Sequence, residues 1–240
     1  LMLDSADHIE IRAEAVLKLI DKLFSQGVSQ VVCQEIGDTL LKEPLVKEIK
    51  VYQNVVESLA DRFHKKMNPI QFVGENTKLY LSPYQDLFSS LIHSIRNALD
   101  HGIELPAQRQ ISGKNEFGTI TFKISTFQKK SRNWIRITIE DDGAGIDIDK
   151  LKAKLLKTYS ADEISNLTEY NLIQHVFDSG LSTKDQVEET SGRGIGMSAI
   201  KSAAERLGGA AWVEMVVNMG TKVVVEVPEI SFIAQKAQAA

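Results

Sequence analysis

"HSIRNALDHGIE", residues 93 to 104, sets two histidines, an arginine, an asparagine and an aspartate into one short run that ends at a glycine. Residues 84 to 100 have helical periodicity, and Gly102 is the natural stop. His93, Asn97 and Asp100 or His101 recur at helical spacing and share one face. Leu91, Ile92, Ile95, Ala98 and Leu99 cover the other side. An amphipathic helix solvating its polar side would account for that division. It would not require so many ionisable groups ahead of a sharp break.

Outward from this helix the chain alternates between two periods. "GTITFKISTF" and "NWIRITIED" switch apolar and polar residues one by one, and "KKSRN" joins them as a long hairpin. "SAIKSAAERLGG" is an amphipathic helix with a glycine stop, and "AAWVEMVVNMGTKVVVEVP" reads as two paired strands turned at Asn218-Met219-Gly220. "NPIQFVGEN" is a short strand and turn, followed by "TKLYLSP"; after Gly145, polar and helical segments run to about Val176. Residues 5 to 66 look helical. Val16, Leu17, Leu19, Ile20 and Leu23 form one apolar face there, and Val46, Ile49, Val55, Val56 and Leu59 a second. Gly27 and Gly37 interrupt the region, and Pro44 fits the first turn of a new helix. The pattern is α+β: a mostly antiparallel sheet with helices on one face.

The 240 residues allow one large domain, or one domain with an appendage. With 43% hydrophobic and 25% charged residues the chain has the mix of an ordinary globular protein. A net charge of −4 gives no basic field for nucleic acid. Cys33 is alone, which fits a reducing compartment. No apolar run approaches the roughly 20 residues that span a bilayer, and no signal peptide is visible. The chain starts at Leu1 rather than Met, so a piece of a longer parent, membrane-anchored or not, is expected.

Three further stretches carry chemistry. Asn97 can offer a carbonyl oxygen to a hard cation such as Mg²⁺, which keeps its waters and takes phosphate oxygens as co-ligands. "EDDGAGID", residues 140 to 147, follows an alternating strand, and its glycines permit a tight turn. The spacing of a calcium loop is missing, which leaves a plain acidic turn or a carboxylate, Asp141, able to accept a hydrogen bond from a purine amine. "SGRGIGMSAIK", residues 191 to 201, sets three glycines before a helix, where backbone N–H groups face an anion. Met197 stands where a Rossmann fingerprint needs glycine, and "SGKN" does not make a Walker A loop. A linker would explain those glycines taken alone, and Gly220-Thr221 alone is a hairpin turn.

In that order (Asn helix, D-x-G-x-G, G-x-G-x-G, Gly-Thr) the four resemble the GHKL ATPase superfamily, and within it the catalytic domain of the histidine kinases. The likeness is strongest to the ATP-binding domain of the chemotaxis kinases. "HSIRNALDHGIE" resembles their N box, including the D-H-G-I-E ending. "EDDGAGID" resembles the first glycine box, and "VFDSGLSTKDQVEETSGRGIGM" the F box, lid and second glycine box. It covers roughly residues 45 to 230.

The resemblance implies a Bergerat-type two-layer α/β sandwich over residues 44 to 240, with ATP held between the helical layer and a mobile lid at residues 178 to 191. Residues 1 to 43 would be a helical linker or part of a dimerisation unit. Asn97 would ligate Mg²⁺, and Asp141 would accept the adenine amine, with Gly143 and Gly145 letting the base approach the backbone. Thr221 would join the water network around Asp141, and Gly192, Gly194 and Gly196 would cradle the phosphates. His93 stands four residues before Asn97, where most of the superfamily has Glu and the chemotaxis type has His; it would activate or orient the acceptor. Arg96 and His101 would add donors or brace the helix. By the same likeness Asp100, Ile146, Phe177, Ser191, Arg193, Ile195 and Met197 complete the nucleotide-contacting set. Leu181 departs from the usual lid Phe without removing a ligand.

The implied activity is an ATP-dependent protein-histidine kinase of two-component signalling, cytoplasmic, with a downstream response regulator and a homodimeric parent. The rival is a non-catalytic ATP-sensing module, which intact Asn97, Asp141 and lid glycines disfavour. A chaperone- or mismatch-repair-type ATPase needs a water-activating Glu, and His93 argues against it. His93 and His101 belong to the nucleotide helix, while His64, His175 and His8 lack the flanks of a phosphoacceptor, His8 coming nearest with Glu10. The acceptor is therefore expected outside these residues.

Overall fold

The alternating stretches on either side of "KKSRN" become the two long central strands of a sheet. In the computed structural model, which describes residues 12–74, 77–178, 196–216 and 218–231, β6 is Ile120–Lys129 and β7 is Arg132–Asp141. The hairpin is there as expected, and its connection shrinks from the five residues of "KKSRN" to two. Lys130 and Ser131, at φ 51° and 60°, make the turn, and Lys129 already pairs with Arg132. Two successive positive φ values match the right-handed twist of the strands, so pairing persists to the tip without a glycine.

The remaining elements, in chain order, are α1 Ala13–Ser25, α2 Gln30–Leu41, β1 Glu43–Pro44, α3 Val46–Lys50, α4 Tyr52–Arg62, β2 Lys66–Met67, β3 Gln71–Val73, β4 Lys78–Leu79, α5 Gln85–Asn97, α6 Pro106–Ile111 and β5 Phe117–Gly118. After β7 come α7 Ile148–Leu155, α8 Ala161–Ser165, α9 Glu169–Gln174, α10 Met197–Arg206, β8 Ala210–Val216 and β9 Gly220–Pro228. The five-stranded sheet runs β3-β6-β7-β9-β8, with β3 parallel to β6 and every other pair antiparallel. The mixed, mostly antiparallel α/β architecture expected from the sequence is the one observed.

Strand alternation decides which face is covered. Ile120, Phe122 and Ile124 on β6, Ile135, Ile137 and Ile139 on β7, and Val223, Val225 and Val227 on β9 are all buried. Leu87, Leu91 and Ile95 of α5 and Ile200, Ala203 and Ala204 of α10 are buried as well, and those two helices pack on each other. The Tyr52 ring stacks on Phe122 at 5.8 Å, tying α4 to the sheet. Each such side chain contributes about 1.5–3 kcal/mol by leaving water. On the opposite face Arg136 meets Glu226 at 2.8 Å, and Lys222 lies 3.1 Å from Glu214 and 3.7 Å from Glu140. Those cross-strand pairs solvate the sheet more than they stabilise it.

The chain divides into two compact units, one of Leu1–Pro44, Lys78–Pro83 and Ile230–Ala240, the other of Leu45–Thr77 and Tyr84–Glu229. In the first, α1 and α2 enclose Val16, Ile20, Cys33 and Leu41. Gly27, at φ 88°, breaks the helices as expected, and the Ser29 side chain caps α2 through the Val32 amide at 3.4 Å. Gly37 does not interrupt anything: it is buried inside α2, where the absent side chain allows close packing. Leu19, placed on the apolar face by periodicity, is 49% exposed. Pro44 opens no helix; it pairs with Lys78 in β1–β4, an edge position where its missing N–H costs nothing, and α3 starts at Val46.

Candidate functional site

Helix α5 delivers its polar face where the second unit's sheet ends at Asp141. After Asn97 the helix widens into a π-type turn, Ala98–Gly102, closed by the Ile103 amide on the Ala98 carbonyl at 2.7 Å. The sequence spacing assumed a regular helix here. At its end the Gly102 carbonyl, which has no intrahelical partner, accepts the Ala144 amide at 2.9 Å and docks the helix end onto the turn after β7. Lys65 holds the same end from behind, donating to the carbonyls of Leu99 and, at 3.1 Å, of Asp100.

Asp141, the last residue of β7, is the centre of the arrangement. Its Oδ1 accepts the Gly143 amide at 3.0 Å and the Thr221 amide at 3.3 Å. Its Oδ2 accepts no hydrogen bond from the described residues. The carboxylate keeps a solvent-facing edge, yet the surrounding protein displaces enough water to push its pKa up to about 6, against the lowering effect of the two amides. Glycines are required around it. A Cβ at Gly143 would lie 2.3 Å from the Gly102 carbonyl oxygen, and one at Gly220 would lie 1.8 Å from the Asp141 carbonyl oxygen. Gly145, at φ 86°, takes the turn away from the strand, and the Ala144 carbonyl accepts the Asn218 amide at 3.0 Å.

Two adjacent aspartates face opposite ways. Asp141 holds the site, while Asp142 anchors the turn from behind: its Oδ1 accepts the Thr119 amide at 2.9 Å and its Oδ2 the Arg109 guanidinium at 2.9 Å. Arg109 is 1% exposed and also reaches Glu104 at 3.1 Å and the Asp142 carbonyl at 3.2 Å. Lys114 donates to the carbonyls of Asp142 at 3.0 Å and Gly143 at 2.7 Å, and to Glu104 at 2.7 Å. Burial alone would raise the Glu104 carboxyl, but the hydrogen bond from Lys114 and the nearby cations hold it below the usual range. None of these four residues was assigned a site role from the sequence, although Glu104 and Asp142 lie in its quoted motifs. The available signal was three charged residues, Glu104, Arg109 and Lys114, within the 12 that follow the Gly102 break in "IELPAQRQISGK".

His93 is half-buried, and desolvation first, then Arg96, lower its pKa, so the imidazole is neutral near pH 7. Arg96 and Asn97 are exposed, and no described residue hydrogen-bonds the Asn97 amide. His101, exposed beside Asp100 at 3.7 Å, has its pKa lowered by desolvation, against the pull of Asp100. Ile146 is half-buried, and its amide meets the Met215 sulfur at 3.3 Å. Phe177 is 4% exposed, at the end of a tight turn whose His175 pairs with Asp178 at 2.6 Å. Gly196 caps α10 in open space and Met197 is buried. Ser191, Gly192, Arg193, Gly194, Ile195 and most of the lid lie outside the described residues.

The family described as histidine kinase-, DNA gyrase B-, and HSP90-like ATPase matches residues 85–231, which contain all of this geometry except Lys65. The chain belongs to that family. Membership in this ATPase family implies that the chain binds ATP. The chain is also 33% identical over 210 residues to the chemotaxis protein CheA of Borreliella burgdorferi, covering 86% of this chain and 24% of that protein. With CheA of Treponema pallidum it shares 36% over 185 residues, 77% of this chain and 22% of that one. It spans about a quarter of the length of these relatives. A solved structure, a blue-light activated histidine kinase from Erythrobacter litoralis, aligns with a TM-score of 0.47 at 15% identity, over 99% of this chain and 64% of that one. The expected likeness to the GHKL ATPases and the chemotaxis kinases therefore holds.

An adenine amine fits the donor-free Oδ2 of Asp141 and the glycine-lined approach beside it. Mg²⁺ fits Asn97 more loosely. No three or more His, Cys, Asp or Glu side chains are placed to hold a metal ion among the described residues, so one amide oxygen would need phosphates and waters to complete the shell.

Proposed function

We propose that the chain is the ATP-binding catalytic core of a chemotaxis-type protein-histidine kinase, which passes the γ-phosphate of ATP to a histidine outside these residues. The observation that carries the proposal is the Asp141 carboxylate, fixed through Oδ1 by two amides, with no described residue donating to Oδ2 and with Gly102 and Gly143 beside it. Asp141 selects adenine through its amine, while Gly143 and Gly145 let the base lie against the backbone and Thr221 braces the carboxylate. Asn97 holds Mg²⁺, which when bound neutralises the phosphate oxygens and orients the γ-phosphate. His93, kept neutral by burial, accepts the proton of the attacking imidazole or orients it, and Arg96 adds positive charge at the same helix face. Asp100, His101, Ile146, Phe177 and Met197 complete the walls. Ser191, Gly192, Arg193, Gly194, Ile195 and Gly196 cradle the phosphates.

The parent protein is a cytoplasmic homodimer in this reading, feeding a response regulator and binding no nucleic acid. Residues 44 to 240 are its catalytic domain, and residues 1 to 43 a helical linker or dimerisation segment. No described helix is long and apolar enough to cross a membrane. Incubation with γ-labelled ATP and the rest of the parent chain tests the activity. Acid-labile, base-stable label on the added chain is expected, and no label on either polypeptide would overturn it. Alone, these residues should bind ATP and take up no stable phosphate. Labelling that vanishes in His8→Gln would relocate the acceptor to residues 1 to 43.

A further inference from the structure

We infer that Lys114, Arg109 and Glu104 form a clamp that positions the adenine-selecting turn, acting on the nucleotide through backbone carbonyls without touching it. The inference rests on the ATP-site reading above and adds residues that reading does not contain. The cluster grips the peptide units immediately after Asp141. Lys114 Nζ donates to the carbonyls of both Asp142 and Gly143, and Arg109 donates to the Asp142 carbonyl and to its carboxylate.

The geometry bears on Asp141 directly. Gly143 supplies one of the two amides that hold Oδ1, and that amide shares its peptide unit with the Asp142 carbonyl which Lys114 and Arg109 grip. Pulling that carbonyl backward aims the N–H forward at the carboxylate. It also polarises the peptide, strengthening the forward bond. Glu104 holds the two cations in register, bonding Lys114 through one oxygen and Arg109 through the other. Arg109 is anchored further by the carbonyls of Asn115 at 2.7 Å and Phe117 at 3.3 Å, so the clamp is fixed to the chain that enters β6. The fold does not need all of this to close. The Asp142 side chain already ties the turn to the Thr119 amide, and Gly102 ties it to Ala144. Lys114 is the member best explained by positioning, because two of its three partners are the carbonyls beside Asp141.

A change of base separates positioning from mere stability. ATP offers Asp141 an amine, whereas ITP carries the same triphosphate and a carbonyl in its place. Calorimetric affinities for both, with a thermal melt of each variant, give the readout. Wild type is expected to prefer ATP. Lys114→Met should lose about tenfold in ATP affinity and under twofold in ITP affinity, and Lys114→Arg should restore most of the preference. Glu104→Gln, which leaves both carbonyl contacts but removes the acid partner, should move the same way by less and replaces Lys114→Met if that variant melts below the assay temperature. Parallel losses for the two nucleotides, or an unchanged preference, would overturn the clamp. A wild-type chain that binds neither nucleotide would instead overturn the ATP-site reading itself.

Discussion

The Gly102 carbonyl oxygen and the α-carbon of Gly143 meet so closely that a β-carbon on Gly143 would lie 2.3 Å from that oxygen. The contact joins the π-type turn after α5 to the turn after β7, forty-one residues apart in sequence. Neither partner is a flexible side chain able to swing aside.

Gly143→Ala is therefore expected to force the two turns apart. Overpacking of this kind costs about 1–3 kcal/mol, so the melting temperature should fall by several degrees. ATP binding should fall further than stability does, because the Gly143 amide that steadies Asp141 moves with the backbone. Calorimetry beside a thermal melt checks both; a variant that melts and binds as wild type does would contradict the contact.

Asp141 ties nucleotide affinity to pH. Its folded pKa, raised by burial from 3.8 to about 6, means that the folded chain retains a proton the unfolded chain releases. The stability it contributes is full below about pH 4 and is lost as pH rises through about 6. ATP affinity runs the opposite way, since the ionised carboxylate is the better acceptor for the amine, and should weaken as pH falls through about 6. Asp141→Asn should weaken ATP binding by on the order of 1–3 kcal/mol at pH 7 and flatten this pH dependence. Comparing the two proteins removes the contribution of phosphate ionisation, which they share. Identical pH profiles would place the titrating group elsewhere.

Asn97 is expected to matter for the metal more than for the base. Its amide is exposed and free of hydrogen-bond partners among the described residues, so its removal disturbs little structure. Asn97→Ala should nearly abolish the dependence of ATP affinity on Mg²⁺ while metal-free ADP still binds. Titrating Mg²⁺ against both proteins decides it, and an unaltered response would withdraw the ligand assignment.

Lys65 makes a structural prediction at the same helix end. It donates to the carbonyls of Leu99 and Asp100, which a helix C-terminus leaves without intrahelical partners. Lys65→Met keeps the stem and removes the donors, so denaturant unfolding should show a loss of about 1–2 kcal/mol. A midpoint equal to wild type would mean that water serves those carbonyls as well.

Much of this protein is local, and local chemistry is written in the chain. The period of two in residues 118 to 127 and 133 to 141 determined a hairpin and which side of it would be buried, because a strand's side chains have no choice but to alternate. The glycines of "EDDGAGID" and the polar face of "HSIRNALDHGIE" likewise marked where backbone and ionisable groups would be needed. Tertiary structure decided the rest. Whether Gly37 breaks a helix or packs inside one depends on what lies against it, and periodicity carries no such information. The π-type turn ends where the Gly102 carbonyl meets the Ala144 amide, a partner no helix-forming rule can see. Nothing in the sequence around Arg109 and Lys114 names their partners. They found those partners only when folding brought the carbonyls of Asp142 and Gly143, 28 to 33 residues further on, within reach of their donors. A side chain's type sets what it can bond to, but only the assembled fold brings the partner and removes the water that would otherwise take its place.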